Sequence, residues 1–425
     1  MRKNPMLAIF FTVFIDLLGF GILIPVFPLL ISPGSPFRVT PEGWSFTQGL
    51  IMLGWLQAIF PFCIFIAAPI LGQLSDRYGR KPVLAFSIFG TAIGYVLFAI
   101  GISTANIPLL FAARALDGVT GGNLAVAQAA IGDVSTHENR AKNFGMLGAA
   151  FGLGFIIGPY LGGRLSTPGT SFYGLFDTPS WFGATTPFWF AAILSLANCA
   201  SILTMFPETL KEKFHGGRIK VSQSVSNVIT GFKSDRLRAV LMAGFLFSAG
   251  FTFFTTFFGV YLRNNFNFSS AKIGDYFAIV GLFIAVSQAV VVAKVAKKLA
   301  DWKVLRFSMF GLGAMMLVYF VIPTTSSYYL YLVIPFFTLF NGLTMANMSS
   351  LISRSAEMGQ QGQAMGIYSS VSSLAQVPAS ILVGYITSDI TSSQPLFVSS
   401  ACIILGGAVF FVLFKPKYVM EGAHA

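Results

Sequence analysis

Apolar runs of about twenty residues, separated by short polar breaks, fill this sequence from end to end. A helix needs roughly 20 mainly apolar residues to cross a hydrocarbon core about 30 Å thick. Twelve such segments can be marked, at 6–31, 46–73, 82–103, 107–132, 142–165, 186–206, 237–262, 272–293, 304–323, 328–353, 362–388 and 395–414. Barrel strands would instead show alternating stretches of about ten residues, and none occurs. Since spanning backbone must satisfy its own hydrogen bonds, the expected fold is an all-α membrane protein: twelve transmembrane helices in two six-helix pseudo-symmetric bundles.

Composition closes the other routes. Only 10% of the 425 residues are charged, against roughly 25% in soluble domains, too few to cover a water-facing surface of this size. The 46 Phe exclude a solvated coil. Cys63, Cys199 and Cys402 are too scattered for a disulfide framework. A net charge of +12 would suggest nucleic acid on a soluble domain, but here the bases report orientation. Short cytoplasmic loops retain Lys and Arg. With the N-terminus inside, twenty-two bases fall on the cytoplasmic side, four outside (Arg38, Arg164, Arg263, Lys272) and one, Arg114, within a span. Both termini are therefore expected in the cytoplasm. The opening Met1-Arg2-Lys3 could mimic a signal peptide, but its apolar run is too long, contains Asp16 and has no small-residue cleavage site.

The longest cytoplasmic connection, 207–236, divides the spans six and six. The expected organisation is an N-terminal bundle over 1–206, a linker over 207–236 and a C-terminal bundle over 237–425. The bundles repeat. At an offset of 221, Pro82-Val83-Leu84-Ala85-Phe86-Ser87-Ile88-Phe89-Gly90 meets Lys303-Val304-Leu305-Arg306-Phe307-Ser308-Met309-Phe310-Gly311. At 224, Asp117-Gly118-Val119-Thr120 meets Asn341-Gly342-Leu343-Thr344. Matches in the same order describe parallel repeats about an axis along the membrane normal, an arrangement that in secondary transporters puts the substrate between the halves.

Two motifs carry chemistry. The break after span two reads Gly72-Gln73-Leu74-Ser75-Asp76-Arg77-Tyr78-Gly79-Arg80-Lys81. Its glycines permit close approach, while Asp76, Arg77 and Arg80 offer charge to a helix terminus and to an acid nearby. Asp133, at the end of span four, is that acid. Span five holds Gly154-Phe155-Ile156-Ile157-Gly158-Pro159-Tyr160-Leu161-Gly162-Gly163. Glycines four apart make a flat packing face, and the proline removes one backbone bond and bends the rod. The first motif is similar to the G-x-L-x-D-R-x-G-R-[KR] signature of the major facilitator superfamily, and the second to the signature of its antiporters. Span one and the stretch from Arg114 through Asp133 to Gly145 resemble the tetracycline-efflux branch. The resemblance implies the major facilitator fold, drug/proton antiport, and a cytoplasmic latch of Asp76, Arg80 and Asp133. In the second half, Lys297 stands where Asp76 would be and Asp301 where Arg80 would be, so only the N-terminal copy is well formed. A second departure is the absence of an acid within span nine, which argues against tetracycline itself as substrate.

Deep charges cost at least about 2.5–3.5 kcal/mol on insertion scales and mark function. Three are central: Asp16, Arg114 and Asp117. Asp16 lies ten residues, roughly 15 Å, from the inner end of its span, with no local base, which suits a proton carrier. Arg114 and Asp117 are three apart on one face; they either titrate with Asp16 or form a permanent structural pair. Polar groups at matching depth, Gln57, Asn123, Gln128, Gln288, Asn341, Asn347 and Gln376, are candidates for lining a substrate cavity, with Phe254 and Phe258 as apolar walls.

No phosphate loop is present, and no soluble stretch is long enough for a nucleotide domain; His137, His215 and His424 lack metal spacing. No catalysis, metal or cofactor is expected, with the proton as coupling ion. The expected function is export of an amphiphilic small molecule by alternating access, from the inner membrane, by a monomer whose partners are substrate and lipid, not nucleic acid. Uptake or symport of a sugar, organic acid or siderophore is the first alternative, and a non-transporting sensor or scaffold the second.

Overall fold

A computed structural model of the chain describes residues 5–135, 140–171, 177–210, 219, 221–295, 298–355, 361–387 and 392–416. The helices are α1 (Pro5–Ile31), α2 (Phe46–Tyr78), α3 (Arg80–Ser103), α4 (Ile107–Thr120), α5 (Asn123–Val134), α6 (Arg140–Leu165), α7 (Thr186–Met205), α8 (Gln223–Lys233), α9 (Arg238–Phe266), α10 (Ser270–Val286), α11 (Asp301–Val321), α12 (Tyr328–Ser355), α13 (Gln361–Ile386) and α14 (Gln394–Leu413). Among the described residues, ten helices are long and apolar enough to cross a membrane, and β pairing is limited to one bridge, Ser171 to Asp177.

The boundaries follow local chemistry. Ser45 and Gln48 close a capping box on α2, the Ser45 Oγ accepting from the Gln48 amide at 3.2 Å and the Gln48 Oε1 accepting from the Ser45 amide at 2.8 Å. Asn106 caps α4 through the Leu109 amide at 3.0 Å. α9 stops at Asn267, which takes the left-handed conformation at φ 54°. One expected helix is not continuous: span four, read as 107–132, breaks into α4 and α5 at Gly121-Gly122. Paired glycines weaken a helix, and here they also admit α2, because a Cβ on Gly122 would lie 2.9 Å from the Ala68 backbone. α10 runs into a π-helical turn at Ser287–Val292.

The chain forms two compact units. The first comprises Met1–Gly49, Ile59–Gln223 and Phe268–Ala278; the second comprises Leu50–Ala58, Ser224–Asn267 and Ile279–Ala425. In the first, α1 runs along α6 and α7, and α3 packs on α4 and α7. In the second, α9 runs along α13 and α14, and α11 packs on α12 and α14. These are the same pairings displaced by one half of the sequence, as the internal repeat requires. The cores differ in kind. The first is aliphatic around Ile9, Val13, Leu84, Ile88 and Ile131. The second is a ring cluster of Phe254, Phe258, Tyr261, Tyr319 and Phe337.

Candidate functional site

The deep charges of the first unit converge. Arg114 and Asp117 lie one turn apart on α4, and the Arg114 Nη1 donates to the Asp117 Oδ2 at 2.8 Å. Their side chains are 4% and 9% exposed. The guanidinium stands over the Phe60 ring, 4.2 Å from its centroid, and its Nε and Nη2 donate to no described group. Beside the pair, Tyr95, Phe98, Phe188 and Leu23 enclose a cavity of about 10 Å³, room for about one water molecule.

Asp16 on α1 sits beside Asn123, the first residue of α5, and within Coulombic reach of Asp117 and Tyr95. The Tyr95 hydroxyl presses on Gly19, leaving no space there for a Cβ. The guanidinium is thus bonded to Asp117, and Asp16 faces Asn123 and Asp117 instead. Tyr95 and Phe60 escape a search for charges because their part is positional: one ring fills the gap beside Gly19, the other supports Arg114.

The glycines of span five act as steric notches on α1. A Cβ at Gly154 would lie 2.6 Å from the Leu17 Cβ, at Gly158 2.7 Å from the Leu18 carbonyl, and at Gly162 2.6 Å from the Ile22 carbonyl. The Pro159 ring meets Gly21. The motif therefore seats α6 directly against the helix that carries Asp16. Gly163 turns to another neighbour, the backbone of Ser270 and Gly274 at the start of α10. Next to it Arg164 forms a two-pronged pair with Asp275, both prongs at 2.8 Å.

At the α2–α3 junction, Arg80 bonds Asp76 at 2.6 Å and Asp133 at 2.9 Å, the geometry expected of those three residues. It also donates to the Ser75 Oγ at 2.6 Å. Gly79 takes φ 112°, which a side chain rarely adopts. Two expectations are corrected. Arg77 is exposed over the Tyr78 ring and joins none of these pairs. Gly72 has no described atom within 4 Å of the place a Cβ would occupy, so close approach does not require it. One member escapes the sequence reading: Glu208, beyond α7, accepts from the Arg80 and Lys81 amides at 2.9 and 3.2 Å. An anion at the α3 N-terminus meets unpaired amides and the positive end of the helix dipole. The chain places it there from 128 residues away, and its sequence signal is only Pro207-Glu208 just past span six.

The polar candidates scatter. Gln57 is buried on α2, while Gln128 and Gln376 are half-buried on α5 and α13. Gln288 is exposed on the π turn and, with Ser287, borders Gly342. Its neighbour Asn341 is 2% exposed, with its Oδ1 lacking a described partner. Asn347 donates to the Leu343 carbonyl of its own helix at 2.7 Å. Phe254 and Phe258, expected as cavity walls, are 1% and 0% exposed inside the ring cluster; four surrounding rings leave them no free face.

Residues 9–380 match the profile of the Major Facilitator Superfamily. The chain belongs to that superfamily. Among its relatives, the class H tetracycline resistance protein of Pasteurella multocida is 29% identical, over 91% of this chain and 90% of its own. Multidrug resistance protein 1 of Bacillus subtilis (strain 168) is 27% identical over 98% of both. The crystal structure of the human organic anion transporter MFSD10 (TETRAN) superposes with a TM-score of 0.70 over 96% of this chain and 98% of that one, at 20% identity. The major facilitator assignment makes the chain a multi-pass membrane transporter and not an enzyme, and the two relatives named above are drug-resistance proteins.

Proposed function

We propose that this transporter is a proton-coupled antiporter that exports an amphiphilic, drug-like small molecule or metabolite by alternating access. The observation that carries the reading is Asp16: a mid-span carboxyl beside the Arg114–Asp117 pair, with an amide rather than a cation as its near neighbour. Such a group holds a proton in one state and surrenders it in another, biasing the two states opposite to substrate. Arg114 stays with Asp117 and balances that carboxylate, leaving Asp16 as the carboxyl without a basic partner. The glycine notches that seat α6 on α1 give a route by which a change at Asp16 bears on the packing of α6. This support favours antiport over uptake or symport.

In this reading the transporter works as a monomer in the inner membrane with both termini in the cytoplasm. The halves 1–206 and 237–425 are joined by 207–236, and Asp76, Arg80 and Asp133 lock the cytoplasmic end of the first. Gln57, Asn123, Gln128, Gln288, Asn341 and Gln376 supply polar contacts to substrate. The names of the relatives suggest tetracycline and other drugs as first probes. In inside-out vesicles, energised accumulation of tetracycline or ethidium that collapses with a protonophore is the expected result. Accumulation that persists after the gradient is removed, or movement of neither probe, would overturn the proposal.

A further inference from the structure

The linker carries a helix suited neither to water nor to a bundle core. α8 joins α9 through a tight turn, the Ser234 amide donating to the Thr230 carbonyl at 3.1 Å and the Arg238 amide to the Ser234 carbonyl at 2.8 Å. Gly231 seats it there, because a Cβ would lie 2.5 Å from the Ile367 Cγ2 and 2.7 Å from the Leu241 Cδ1. Leu241 is in the first turn of α9 and Ile367 in the second turn of α13. α8 is therefore held level with the ends of two spans of the second unit, at the depth of the lipid headgroups.

Its remaining surface divides in two. Each residue advances about 100° round a helix. Counted from the Gly231 contact, Val225, Val228, Ile229 and Phe232 fall within an arc of roughly 60–160°, and Gln223, Ser226, Thr230 and Lys233 within roughly 200–280°. Val225 and Ile229, one turn apart, are 51% and 49% exposed, which is unfavourable in water. A flank on span ends, an apolar face a quarter-turn away and a polar face opposite describe a helix lying flat in a membrane interface. The charges agree. Between 207 and 238, Lys211, Lys213, Arg218, Lys220, Lys233, Arg236 and Arg238 stand against Glu208, Glu212 and Asp235. Two of those acids are already engaged, Glu208 with the α3 amides and Asp235 with Arg238 at 3.2 Å. Lys233 and Arg236 are exposed, whereas 211–218 and 220 lie outside the described residues. An excess of base beside an apolar ridge fits an anionic lipid surface, which attracts bases next to a span; a soluble acidic partner would leave the ridge in water.

We propose that α8 is an anionic-phospholipid site in the headgroup layer of the cytoplasmic leaflet, with Val225 and Ile229 among the acyl chains and Lys233 and Arg236 on lipid phosphates. This rests on the reading that puts the linker on the cytoplasmic side. The test is hydrogen exchange over 223–233 of the full chain in nanodiscs of phosphatidylcholine, with and without phosphatidylglycerol. Phosphatidylglycerol should slow exchange about tenfold, and less so at high salt. Lys233→Gln with Arg236→Gln should remove that difference and leave exchange in phosphatidylcholine as it was. Val225→Ser with Ile229→Ser should quicken exchange severalfold in both lipids. Melting temperatures should not move, because all four side chains are exposed. Equal exchange in the two lipids, a phosphatidylglycerol effect that survives loss of both bases, or no response to the serine pair overturns the proposal. Protection that rises with protein density instead of lipid charge, as a second copy on the ridge would give, overturns it too, as does protection by soluble glycerol phosphate. Trypsin should cut the linker in inside-out vesicles alone; cutting only in right-side-out ones overturns the orientation, a failure distinct from loss of lipid protection.

Discussion

The two units repeat one helix plan and fill it with opposite materials. Where the first has Asp117, paired with Arg114 and close to Asp16, the second has the uncharged Asn341. Where the first packs aliphatic side chains, the second stacks Phe254, Phe258, Tyr319 and Phe337, with the Tyr261 hydroxyl donating to the Tyr319 carbonyl at 3.0 Å. The difference supports the proposed division of labour: in that reading the first unit handles the proton, while the second is built on an aromatic core whose buried polar positions are mainly hydroxyls and amides. Substitutions in the two should then fail in different ways.

The largest effect is expected at Asp16. Asp16→Asn should abolish gradient-driven export, a loss of at least about a hundredfold for a coupling group, while substrate exchange without a gradient survives; both are read in vesicles with and without a protonophore. Next comes the core of the second unit. Phe254→Ala should destabilise by about 3–5 kcal/mol, seen as a lower melting temperature in detergent, with the proton-to-substrate ratio of the remaining activity unaltered. A changed ratio would break the division between the units. Gly158→Ala, against the Leu18 carbonyl, should cost about 1–3 kcal/mol and slow transport, whereas Gly72→Ala, in open space, should be neutral on both counts. Between these two falls Glu208→Gln, which weakens an N-terminal charge and should cost about 0.5–2 kcal/mol with proton coupling retained.

Much of this was legible because membranes impose long, uniform signals. Apolar length fixed the positions of the spans to within a few residues at most ends, and the charged junction after α2 was readable through its resemblance to the superfamily signature, which implied its ion partners. Legibility failed where partners are remote or chemistry is degenerate. Gly121-Gly122 sits within an apolar run whose hydropathy is unbroken, so the division of α4 from α5 depends on the approach of Ala68. Glu208 reaches α3 across 128 residues. With 46 Phe in the chain, neither periodicity nor depth separates a cavity wall from a core ring, and Phe254 and Phe258 proved to be core.

Proton movement in proteoliposomes tests the division most directly. On adding a transported probe, the wild-type protein should release or take up protons in proportion to substrate moved, and the Asp16→Asn, Asp117→Asn double variant should move substrate without them. An unchanged proton-to-substrate ratio in that variant would contradict the assignment of coupling to the first unit.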